Sequence, residues 1–102
     1  MSLDLTVLGA DGAPERSVSI SVDLHAELMR LAAEVEAKHL ARFQSYYTDA
    51  EVPVEGLAEL SREIGVLRHK ARSPDLVQLL SDLDGLVAHA LANRRAVHAI
   101  AD

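Results

Sequence analysis

An α+β fold is what this sequence predicts: an N-terminal antiparallel β-hairpin, three to four helices packed on it, and a short C-terminal run read as a third strand. Three observations carry that expectation. Apolar and polar residues alternate in two runs near the N-terminus, the period of strands with one buried face. From Leu24 to Leu91 the apolar residues recur every three or four positions, the spacing of helical stripes. No internal repeat, low-complexity segment or linker interrupts the 102 residues, so 1–102 is expected to be a single compact domain.

The first strand is read over residues 3–8, where Leu3, Leu5 and Val7 share one face and Asp4 and Thr6 the other. Gly9, Asp11, Gly12 and Pro14 supply a turn. Residues 16–22 then alternate again, with Val18, Ile20 and Val22 opposite Ser17, Ser19 and Ser21. Two such runs across a short Gly-containing connection read as a hairpin whose serine face is solvated. Asp23 is expected to cap the next helix, with a stripe of Leu24, Leu28, Leu31, Ala32 and Val35. That stripe decays after Val35, because Lys38 and Arg42 occupy its next positions, so a break is expected at 37–40. Phe43, Tyr46 and Tyr47 would end a short helix before a loop at 48–51, with Phe43 and one tyrosine closing the core.

A third helix is expected over about 53–72. Pro53 starts it, Leu57, Leu60, Ile64, Leu67 and Ala71 form its stripe, and acids precede bases in the order the helix dipole favours. The strongest helix grammar lies at 73–93. Ser73 suits the N-cap, Pro74 the first helical position and Asp75 the first turn, and the apolar stripe runs through Leu76, Leu79, Leu80, Leu83, Leu86, Val87, Ala90 and Leu91. Asn93 is expected as a left-handed stop. Residues 97–100 read as a strand or as further helix; the strand is preferred, because a two-stranded hairpin alone is marginal.

Composition removes several functions. Sixteen Asp and Glu against ten Lys and Arg leave a net charge of −6, a field that repels phosphate backbones and anionic lipid, so nucleic acid and membrane are not expected partners. A basic protein is. The absence of cysteine removes disulfides, thiolate catalysis and cysteine metal sites, and the N-terminus lacks a signal-peptide pattern, so the chain reads as soluble and cytoplasmic. No GxSxG, P-loop, GxGxxG or HExxH spacing occurs.

The most functional pattern is an acidic row, Glu51, Glu55, Glu59 and Glu63, four apart as on one helix face. Like charges at that spacing oppose one another by a few tenths of a kcal/mol per pair unless a partner or the dipole offsets them. Phe43, Tyr46, Tyr47 and Asp49 join aromatic area to this acidity, a composition common at interfaces. A solvated helix face beside a closed core accounts for the same residues. Glu36 and His39 form one Glu-x-x-His pair, which a di-iron bundle would need twice, so no metal or other cofactor is expected.

The hairpin, the Asp23-Leu24-His25 helix start, the proline-started acidic helix and the Ser-Pro-Asp-Leu helix at 73–76 together resemble small acidic bacterial proteins of the immunity-protein type, which serve polymorphic toxin systems. The likeness is one of layout across most of the chain and assigns no site residues. It implies a binding role, and with the acidic and aromatic residues the expectation is a non-enzymatic protein-binding module, an inhibitor or immunity-type protein. Those residues, Tyr46, Tyr47, Asp49, Glu51, Glu55, Glu59 and Glu63, are the surface expected to face a basic partner. The alternatives are a homodimeric structural or scaffold protein pairing through its helices and, behind it, a small metal-dependent enzyme using Glu36 and His39.

Overall fold

The computed structural model describes residues 2–101; Met1 and Asp102, the ends of the expected domain, lie outside the described residues. Strands β1 (Leu3–Leu8), β2 (Pro14–Ile20), β3 (Ala50–Val52) and β4 (Val97–Ala101) form one antiparallel sheet in the order β2-β1-β4-β3. Helices α1 (Val22–Glu34), α2 (Leu57–Lys70) and α3 (Pro74–Asn93) complete it, with 3-10 turns at Leu40–Phe43 and Val54–Gly56.

The hairpin forms as its alternation requires, with Leu3 opposite Ile20 and Leu5 opposite Val18. Its turn needs Gly12, whose φ of 81° lies in the left-handed region that side chains avoid. The second strand stops at Ile20, two residues short of expectation. Ser21 adopts an extended conformation and accepts the Leu24 N–H, so Ser21 rather than Asp23 caps α1. Asp23 falls in the first turn, and Val22 is left 54 % exposed. A hydroxyl able to reach an orphan helix N–H outweighs one more apolar position on a strand.

Residues 97–101 are a strand, and they pair with β1 in the middle of the sheet. The expected loop at 48–51 is corrected to a fourth strand, because Ala50 to Val52 pair with Ala99 to Val97. Three residues are too few to carry a readable period; only Val97 and Ala99 across the ladder define them. Leu3, Leu5, Val7, Ile20, Val52, Val97 and Ala99 are buried and share the sheet face that the helices cover. The other face carries Asp4, Thr6, Ser17, Ser19, Glu51 and His98.

Helix α1 ends at Glu34, slightly before the expected break, and Glu36 turns the chain with a φ of 56°. The expected helix at 53–72 begins with a 3-10 turn and becomes α-helical only at Leu57. Ser73 caps α3 by accepting the Leu76 N–H at 3.1 Å, as its grammar predicts. The left-handed stop is Arg94, at φ 52°, one residue beyond Asn93. Asn93 instead donates to the His89 carbonyl at 2.8 Å. Leu76, Leu79, Leu80, Leu83 and Leu86 of α3 are all buried, each contributing about 2 kcal/mol of apolar burial. One hydrophobic cluster joins them to the sheet and to α1 and α2.

Candidate functional site

Glu36 and His39 do not share a helix face, because α1 has ended two residues before Glu36. The turn at Glu36 instead sends the chain back over α2. There Glu63 accepts the backbone N–H of His39 at 3.1 Å with one carboxylate oxygen and that of Leu40 at 3.0 Å with the other. His39 Nε2 donates to Glu59 at 3.1 Å. This bond holds the Glu59 carboxyl below its ordinary value of 4.5, and the nearby charges of Lys38 and Arg62 act in the same direction. The ring can sit here only because position 56 is glycine: a Cβ on Gly56 would lie 2.9 Å from His39 Cε1 and 3.1 Å from Nδ1.

Among the described residues, His39, Glu59 and Glu63 are the one group of histidine and acid side chains close enough to share a metal ion. A cleft of about 210 Å³ beside them is walled by Lys38, Arg62 and Val66. Their bonding argues against metal. Nδ1 of His39 is buried and has no hydrogen-bond partner. With the proton on Nε2, facing Glu59, Nδ1 is a bare acceptor. A metal on Nε2 would move that proton to Nδ1, where nothing accepts it, whereas metal-bound histidines almost always donate from the second nitrogen. The cluster is chemically a clasp between the 35–40 turn and α2.

The aromatic residues divide sharply. Phe43 and Tyr46 are buried, as expected for Phe43 and one tyrosine. The Tyr46 hydroxyl donates to the Ile20 carbonyl at 3.0 Å, and its ring meets His25 edge-on at a centroid distance of 5.1 Å. His25 is itself buried, with Nε2 donating to the Phe43 carbonyl at 2.6 Å. Tyr47 is 66 % exposed and stands edge-on against Tyr46 at 5.4 Å. Burial thus takes Tyr46 out of any solvent-facing contact surface and leaves Tyr47 as the outward ring.

The acidic row is not a ridge on one helix. Glu51 lies on β3, Glu55 in the 3-10 turn, and only Glu59 and Glu63 on α2. Glu63 is engaged by the backbone and Glu59 by His39, whereas Glu55 is exposed and Glu51 lies 3.5 Å from His98 Nδ1. Asp49 accepts the Ala101 N–H at 2.8 Å. Exposed Tyr47, Asp49, Glu51, Glu55 and Glu59 remain around β3 and the start of α2.

On the uncovered sheet face the strand register places Glu51, His98, Thr6 and Ser17 side by side across four strands. Acid, imidazole and hydroxyl in a row suggest nucleophilic chemistry. The hydroxyls are committed elsewhere: Ser17 donates to Thr6 at 2.8 Å and Thr6 to the Arg16 carbonyl at 3.0 Å. Among the described residues no hydrogen bond joins His98 to either, so the base has no nucleophile to activate.

Neither the His39 clasp nor this row was legible in the sequence. Their members are 20 to 24 residues apart in the clasp, and strand pairing alone assembles the row. No family model matches the chain, and neither the curated proteins nor the solved structures contain a significant match to it. No helix among the described residues is long and apolar enough to cross a membrane.

Proposed function

We propose that this chain is a non-enzymatic protein-binding module, an inhibitor or immunity-type protein of the cytoplasm, that presents Tyr47 with Asp49, Glu51, Glu55 and Glu59 to a basic partner. The observation that carries the reading is Tyr47 itself: an aromatic ring 66 % exposed, supported from behind by buried Tyr46, in a stretch of chain that also carries exposed Asp49, Glu51, Glu55 and Glu59. A rigid aromatic anchor in a charged surround is the composition of an interface hot spot, and the carboxylates would speed encounter with a cationic surface. Tyr46 and Glu63, expected at first to be contacts, support this reading from below, one as platform and one as backbone clasp.

Affinity capture on the immobilised protein, followed by association kinetics at rising salt, tests it. Tyr47→Ala should accelerate dissociation by about tenfold or more. Glu51→Lys with Glu55→Lys should slow association and flatten its salt dependence. A specific complex indifferent to both changes, or to salt, overturns the reading. A homodimeric scaffold is the second reading, favoured by exposed Val66, Val77 and Leu91 on the helices. A mass that doubles with concentration in sedimentation, and reverts on Val66→Asp, would establish it instead.

A further inference from the structure

We infer that the free edge of β2 and the flank of α3 form a docking groove for an extended peptide of a partner protein. The peptide would add to the sheet as a fifth strand, antiparallel to β2. It would carry a basic side chain toward Asp82 and Asp75 and, further along, a carboxylate to Arg16. This surface lies at the opposite edge of the sheet from the one around β3.

Three observations carry the inference. The first is the edge itself. β2 is seven residues long and pairs only with β1, so the backbone groups on its outer side have no partner in the sheet. Natural sheets blunt such edges with lysine, proline, bulges or a covering segment. Here the proline is the first residue of the strand and the register irregularity faces it at Val7 and Leu8, which leaves Arg16 to Ile20 regular.

The second observation is the groove. Arg16 to Ser19 on one side and Ser81, Asp82 and Gly85 on the other enclose a cleft of about 390 Å³. Ser19 and Asp82 also border a neighbouring depression of about 230 Å³ that extends past Gln78 to Asp75. The two depressions share Ser19 and Asp82, so the trough runs on past the Ser19 end of the strand toward Leu24 and Asp75. A Cβ at position 85 would lie in ordinary contact with Arg16 Nη2, at 3.4 Å, so the guanidinium stands beside α3 at this end of the trough.

The third observation is charge. Among the described residues the Arg16 guanidinium makes no hydrogen bond or ion pair, Asp75 has no side-chain partner, and Asp82 accepts only from Gln78, at 2.9 Å. Arg16 and Asp75 thus stand without partners at opposite ends of one trough, with Asp82 between them. Arg16 lies beside Gly85 while Ser19 lies beside Asp75 and Asp82, so α3 runs opposite to β2. An antiparallel peptide enters at the Ser19 end and leaves at the Arg16 end, placing its basic residue before its carboxylate. Side chains on one face of a strand are about 7 Å apart, so the two charges belong two to four residues apart on that face. Backbone pairing would supply affinity and the two charges would set direction, the division of labour of strand addition.

The test uses the full chain, isotope-labelled, titrated with a synthetic peptide of about eight residues that alternates valine and lysine and ends in a free carboxylate. The expected result is a set of amide shifts at Ser17 to Ile20 and at Ser81 to Gly85. Affinity should fall by about fivefold for Asp82→Lys and for Arg16→Glu, both exposed positions. A peptide methylated on alternate backbone nitrogens should lose binding, because charge without pairing does not suffice. Binding that survives methylation, shifts confined to Tyr47 and β3, or no shift at millimolar peptide would each overturn the proposal. Concentration-dependent protection of the β2 amides without peptide would overturn it too, by making this edge a contact between two copies of the chain.

Discussion

The two edges of the sheet are treated in opposite ways. At the β3 edge the strand is three residues long, and side chains from elsewhere close it: Arg42 donates to the Glu51 carbonyl at 3.3 Å, and Asp49 takes the N–H of Ala101 on the neighbouring strand. The loop that delivers Arg42 is pinned by Glu63 at His39 and Leu40, and the segment after it by the buried Tyr46 hydroxyl. At the β2 edge one side-chain bond crosses, from His89 of α3 to Glu15 at 2.6 Å, and beyond it Arg16 to Ile20 run free beside a trough. An edge closed by side chains can offer a partner only side chains, here Tyr47 and its carboxylates. An open edge offers the backbone as well.

If the β3 edge is held by what lies behind it, the largest effect should come from Tyr46. Tyr46→Ala removes a buried ring and the platform of Tyr47 and should cost about 3–4 kcal/mol in urea unfolding, against about 1 kcal/mol for Tyr46→Phe, which leaves the Ile20 carbonyl unpaired. A loss below the phenylalanine value would show that this edge does not depend on Tyr46. Next comes Glu63→Ala, which frees two backbone N–H groups and should cost about 2 kcal/mol, with faster amide exchange at His39, Leu40 and onward to Glu51. Slow exchange throughout would break the link between the clasp and the β3 edge.

The pH dependence of the clasp is smaller and has a definite sign. The folded Glu59 carboxyl titrates below its ordinary value of 4.5, so its contribution is present above that value and fades as pH falls through the folded one. A carboxyl-detected titration should show the low midpoint, and Gly56→Ala, which crowds the His39 ring, should return it toward 4.5. An unmoved midpoint would mean that the ring keeps its bond without the glycine. Smallest of all should be Arg16→Ala at the open edge, within about 0.5 kcal/mol of the parent, because among the described residues its guanidinium makes no hydrogen bond or ion pair. A larger change would mean that the β2 edge is less free than its neighbours indicate.

Periodicity made the hairpin, α1, α2 and α3 readable, because each buries one face and buried faces leave a regular apolar spacing over many residues. The C-terminal strand followed instead from the marginal stability of a two-stranded hairpin. Ser73, Pro74 and Asp75 announced the start of α3 for a related reason: helix capping is local chemistry within one turn. Ser21 obeyed the same rule and was still passed over for Asp23, since both residues satisfy it and only the end of β2 decides between them. The candidate surface was legible in composition, with its aromatics and acids close together in the chain.

What the sequence by itself determined, then, is whatever depends on neighbours within about two turns of helix or one strand: element type, the main caps and the acidic, aromatic character of residues 43–63. The tertiary structure alone decided which tyrosine faces solvent, that Glu63 serves the backbone and Glu59 a histidine, that residues 50–52 pair with β4, and that one sheet edge is closed and the other open. Each of these depends on contacts between residues 20 or more positions apart, as between His39 and Glu59 or Tyr46 and Ile20, and no local pattern records which distant group will arrive.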